Sequence, residues 1–101
     1  MDDRIKVKID PDLEDLVPGF LENRRKDVDR LTEFLQVPDF TEIRLIGHSM
    51  KGAGGGYGFD EITEIGSAIE EAALLEDAAA IKTGTEKLAD YLSRVDVVLD
   101  Q

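Results

Sequence analysis

Apolar positions recur along the chain with two different periods. The start, RIKVKID, alternates Ile5, Val7 and Ile9 with Arg4, Lys6 and Lys8. That period of two predicts an extended segment with one apolar edge. The rest of the chain offers no second strand pattern, so residues 1–10 are expected to lie as an arm along the domain. Asp10 and Pro11 then read as a helix start, with aspartate accepting from free backbone N–H groups and proline tolerated in the first turn. This short turn should run through Leu16 and be interrupted at Pro18, because proline disfavours helical backbone at the residue before it.

From there to about Gln36, helical spacing takes over: Phe20, Leu21, Val28, Leu31 and Leu35 share a stripe while ENRRKD faces out. VPDF breaks this first long helix, and Asp39 caps a second that carries Ile43, Ile46 and Met50 and is ended by a glycine run. Asp60 is expected to cap a third, with Ile62, Ile65, Ile69 and Ala72 on one stripe. A fourth should start near Asp77 and carry Ile81, Leu88, Leu92, Val95 and Leu99. Four amphipathic helices with short connections cannot bury their stripes singly. The expected fold is therefore all-α, an antiparallel four-helix bundle with an extended N-terminal arm. Residues 1–101 are expected to make one domain, with the arm over 1–10 and the bundle over 11–101.

Composition narrows the function. A chain of 101 residues, 42% hydrophobic and 35% charged, reads as one globular domain rather than a disordered segment. The absence of cysteine excludes disulfides and thiolate metal sites. Twelve basic residues against 23 acidic ones give a net charge of -11, which repels a phosphate backbone and argues against nucleic acid as a partner. No apolar run approaches the roughly 20 residues of a membrane span, and no signal peptide is recognisable. A cytoplasmic protein is expected, with no membrane partner.

The candidate chemistry lies in GHSMKGAGGGYGF, residues 47–59, which holds the only histidine and a run rich in glycine. On a helical wheel of about 100° per residue, Thr41, Arg44, Gly52 and Gly55 fall within about 40° of His48, and Leu45 and Lys51 within about 60°. Ile43, Ile46, Met50, Ala53 and Tyr57 gather on the opposite side. His48 should thus face out rather than sit in the core. Residues 41–58 carry a net charge of +1, from Arg44 and Lys51 against Glu42, on a chain that is otherwise strongly acidic. Such a spot suits an anion. Glycine within a helix costs about 1 kcal/mol relative to alanine, so Gly52 either opens access to the imidazole or simply begins the turn.

Other readings of the glycines fail. Gly-x-Gly-x-x-Gly fits no register, and the lysine of a phosphate loop would have to follow the glycines, whereas Lys51 precedes them. One histidine without cysteine makes no metal site. The neighbouring Ser49 points about 100° away from His48, and no nucleophile-elbow motif is present.

HSMKGAGGGYG resembles the signature of histidine-containing phosphotransfer (HPt) domains: histidine, lysine three on, glycine four on and a second glycine ten on. Here these are His48, Lys51, Gly52 and Gly58. The resemblance extends over the predicted helices. It implies a phosphoryl carrier of phosphorelay signalling rather than an enzyme, with a response-regulator receiver domain, a histidine kinase or both as partners. It also implies that His48 is the phosphoacceptor, that Lys51 steadies the phosphoryl oxygens, that Gly52 gives the partner room and that Gly58 shapes the following turn. In this family the magnesium belongs to the receiver and there is no ATP site, so no cofactor and no metal are expected of this chain. Arg44, Leu45 and Gly55 are docking candidates from the wheel alone. Two alternatives stand beside the carrier: a receiver-binding adaptor without transfer, and a purely structural bundle. A monomer is expected, although the alternating arm is a segment able to pair between molecules.

Overall fold

The computed structural model describes residues 3–99. A short strand, β1 (Ile5–Ile9), leads through a 3-10 helix (Pro11–Leu16) into α1 (Val17–Gln36), followed by α2 (Phe40–Gly56), α3 (Asp60–Leu74) and α4 (Ala78–Arg94). A second strand, β2 (Val95–Leu99), follows α4. The all-α bundle with an N-terminal arm is the fold observed. Its core is built from the expected stripes: Phe20, Leu21 and Leu31 of α1, Ile43, Ile46 and Met50 of α2, Ile62, Ile69 and Ala72 of α3, and Ile81, Leu88 and Leu92 of α4 are all buried.

Helix starts follow the side-chain chemistry. Asp10 accepts from the Asp12 N–H at 2.9 Å, Asp39 from Glu42 at 3.2 Å and Asp77 from Ala80 at 3.1 Å. Each satisfies a backbone donor that the helix itself cannot pair. Asp60 is a correction, because the residue at the cap of α3 is Phe59, which makes no side-chain cap bond. Phe59 is fully buried, and its N–H reaches the Gly54 carbonyl at 2.8 Å. That anchoring starts the helix at residue 60, where the Asp60 charge sits in the first turn and complements the helix dipole.

One further expectation is corrected. The fourth helix does not run to Leu99: it ends at Arg94, and β2 pairs in parallel with β1, from Ile5 opposite Val95 to Ile9 opposite Leu99. Val95 and Leu99 fit a helical stripe, but Val95, Val97 and Leu99 fit a period of two equally well. The β-branched run and the waiting edge of the arm decide for the strand. The crossover that parallel strands require is here the whole bundle. The glycine run does end the second helix, though only at its last members. α2 continues through Gly56, and the turn is made by Tyr57 and Gly58, the latter at φ +87.

The tightest packing is between α2 and α3, where glycines replace side chains. A Cβ at Gly47 would lie 2.7 Å from the Glu70 nitrogen, and one at Gly66 would lie 2.6 Å from the Lys51 nitrogen. At Gly54 it would meet Thr63 Oγ1 at 2.5 Å. The two backbones are in direct contact. Alanine favours a helix over glycine by about 1 kcal/mol, yet overpacking costs about 1–3 kcal/mol, with more where backbone blocks relaxation. Gly66→Ala should therefore lower stability by roughly 1–3 kcal/mol in denaturant melts. A raised midpoint would mean that α2 and α3 are not in backbone contact.

Candidate functional site

His48 sits in the middle of α2, on the face opposite Ile43, Ile46 and Met50, and its side chain is 69% exposed. The outward placement read from the wheel is the one observed. Gly52 lies one turn further along the same helix and is also exposed. A Cβ there would meet nothing within 4 Å, so neither packing nor backbone conformation demands glycine at this position. What its missing side chain leaves is open space beside the imidazole.

The contact of α2 with α3 supplies the partner that the sequence reading did not name. Gly66 and Glu70 are one turn apart on α3, so the face that touches Gly47 also carries a carboxylate toward α2. Glu70 Oε2 lies 2.6 Å from His48 Nδ1, and Glu70 Oε1 lies 3.5 Å from Lys51 Nζ. Its side chain is only 16% exposed, against 69% for the imidazole it holds. A carboxylate can only accept, so Nδ1 bears the proton and donates it to Glu70. In the neutral form of the ring, the lone pair is then on Nε2. The available signal was Gly66 itself, an isolated glycine inside a helical pattern with an acidic residue four positions later.

Electrostatics follow from the same geometry. The hydrogen bond from His48 holds the Glu70 carboxyl below its ordinary value; burial opposes this, and the charge of Lys51 adds to the lowering. Lys51 is tethered at its backbone, where Thr63 Oγ1 donates to its carbonyl at 3.2 Å. His48, Lys51 and Glu70 thus form one cluster bridging two helices. Of the docking candidates, Leu45 is 48% exposed, Gly55 is exposed and Arg44 is half-buried. No side-chain hydrogen bond joins any of the three to the cluster.

The cluster lies on open surface. A groove of about 700 Å³ runs between α3 and α4 past Ile65, Ala68, Gly84 and Tyr91, and neither His48, Lys51 nor Glu70 lines it. No group of three or more potential ligands among the described residues could hold a metal ion. No helix among them is long and apolar enough to cross a membrane. The family model described as the Hpt domain matches residues 15–97, which include the whole cluster.

The chain belongs to the Hpt domain family. Neither a curated protein nor a solved structure is matched. Hpt domains are phosphocarriers rather than kinases, and they work with receiver domains and kinases in phosphorelays. Membership therefore implies histidine phosphotransfer as the class of function of this chain.

The Glu70 contacts have a pH signature. A carboxyl lowered on folding contributes stability that is present above its ordinary value of 4.5 and lost as the pH falls through its lower folded value. In a carboxyl-carbon NMR titration of the Hpt domain, Glu70 should titrate below 4.5. In His48→Ala the midpoint should move up, because the largest cause of the lowering is gone. An unmoved midpoint would show that the imidazole is not its partner in solution.

Proposed function

We propose that this Hpt domain is a phosphorelay carrier in which His48 accepts a phosphoryl group on Nε2 and exchanges it with receiver-domain aspartates. The observation that carries this reading is the 2.6 Å contact of His48 Nδ1 with Glu70 on an otherwise exposed imidazole, which ties up one ring nitrogen and leaves the other without that carboxylate. The Nε2 lone pair forms the N–P bond as the P–O bond to the receiver aspartyl breaks, and the carboxylate leaves with the electron pair. Nδ1 keeps its proton throughout, so the phosphorylated ring becomes cationic. Glu70 offsets that charge at close range. Transfer onward is the reverse step toward a second aspartate.

Lys51 has a different role in this reading. Its ammonium is half-exposed and only 3.5 Å from Glu70 Oε1, so a small rotation takes it to an incoming phosphoryl oxygen. Phosphoryl transfer through a loose transition state depends mainly on alignment and charge stabilisation, which is what a mobile cation beside a fixed nucleophile supplies. Arg44, Leu45 and Gly55, around the same face of α2, are the proposed docking positions for the receiver.

His48→Gln should keep the helical fold and lose all acid-labile phosphate when the domain is incubated with a phosphorylated receiver. An adaptor of the same fold would carry no such label even in the wild type. Lys51→Ala should slow labelling or shorten the phosphohistidine lifetime about ten-fold, the loss of one charge-assisted contact at an exposed site.

Gly52→Gln separates access from folding. Glutamine is the better helix former by roughly 0.5–1 kcal/mol. With open space around position 52, the melting temperature should stay equal or rise while transfer falls strongly. Normal transfer by a stable Gly52→Gln variant would remove the access role.

A further inference from the structure

The phosphotransfer chemistry makes no use of the two-stranded sheet. A strand with one neighbour turns alternate N–H and C=O groups to an open edge. Val95 commits its N–H to the Tyr91 carbonyl at the end of α4. Among the described residues, no hydrogen bond joins residues 96–99 to any element other than β1. The two edges are not equally protected. β1 carries Lys6 and Lys8, both exposed, and lysine on an edge strand discourages further pairing. β2 reads VDVVL, with Asp96 as its one charge. Sheets of two strands are marginal on their own, and added strands stabilise them.

We propose that β2 is a self-association edge, through which two copies pair antiparallel about a two-fold axis at Val97 into a four-stranded sheet. In that register Val95 lies opposite Leu99 of the partner subunit, and Asp96 lies opposite Val98 of the partner subunit. Val95, Val97 and Leu99, which pack against the core, stay on one face, so the pleats of the two strands match. No like charges meet. Pairing β1 with β1 about Val7 would instead set Lys6 against Lys8 of the partner subunit, which is repulsive. Pairing β1 with β2 between copies is head-to-tail and would run on as an open fibre. Only the β2 edge closes on itself without opposing charges. Five residue pairs make a small interface, and each copy carries a net charge of -11. The dimer should therefore be weak and should tighten with salt, as screening relieves the repulsion between the two bodies.

Analytical ultracentrifugation of the full chain over a concentration series tests this. The average mass should climb from monomer toward dimer and stop there, further at high salt than at low. Val98 allows a charge test that spares the fold, because its two cross-strand neighbours differ in sign. Within one copy it faces Lys8, and in the dimer it faces Asp96 of the partner subunit. Val98→Asp should leave the melting temperature unchanged or higher yet weaken dimerisation about ten-fold or more, since two aspartates then oppose each other at both symmetric positions. Val98→Lys should tighten it several-fold. Ala79→Asp, an equal charge change on exposed α4 surface, should have little effect. A monomer at every concentration and salt would overturn the proposal. So would assembly beyond the dimer, or a dimer that ignores the sign of the charge at position 98.

Discussion

Where α2 crosses α3, Gly47 and Gly66 meet with no side chain between them, and the chemistry around His48 depends on that approach. Helices separated by ordinary side chains pack with their axes about 8–10 Å apart. At these glycines a single methyl group would already collide with the opposing backbone. The closeness lets a glutamate on one helix reach an imidazole on the next at 2.6 Å while its own side chain stays largely covered. The same carboxylate reaches Lys51. Moving the helices apart by one methyl layer would set Glu70 into solvent and leave both ring nitrogens of His48 equivalent. Packing, here, decides which ring nitrogen is tied to a carboxylate.

Glycine serves α2 in two opposite ways. At positions 47 and 54 it removes a side chain on the buried side, so that α3 can come close. At 52 and 56 it removes one where nothing would be hit, on the solvent side. The first use concerns architecture, and the second fits the proposed approach of a partner to His48. Because the two sets lie on different faces of one continuous helix, the glycine run has no single explanation. Treating it as a turn merges them.

Much of this was legible in the chain, for reasons that can be named. Helical stripes such as Ile43, Ile46 and Met50 have a period that no strand shares, and aspartate caps at residues 10, 39 and 77 are local chemistry that needs no tertiary knowledge. His48 was placed outward by the same periodicity. What stayed hidden depended on partners remote in sequence. Val95–Leu99 satisfies helix and strand periods at once, and only the arm some ninety residues away makes the strand the better choice. Glu70 is one more acidic residue on an acidic chain until Gly66 and Gly47 bring it to the imidazole. Asp60 looked like a cap, but buried Phe59 fixes the boundary.

A helix that contains Gly47, Gly52, Gly54, Gly55 and Gly56 has poor intrinsic stability, at about 1 kcal/mol lost per glycine against alanine. Its last turn holds three of them in succession, so something outside the helix must keep it wound. That support comes from α1. Phe20 stacks on Tyr57 at 4.4 Å and on Phe59 at 5.3 Å between ring centroids, clamping the turn that follows the glycines. Arg24 lies over the Phe20 ring at 4.9 Å and is fixed by a 2.8 Å ion pair to buried Asp27. Burial pushes the Asp27 carboxyl up, while Arg24 and Arg30 pull it down. Aromatic pairs contribute about 0.5–1.5 kcal/mol each beyond their buried area, enough for this cluster to offset one or two of the glycines. The open surface beside His48 is thus sustained by packing on the far side of the same helix.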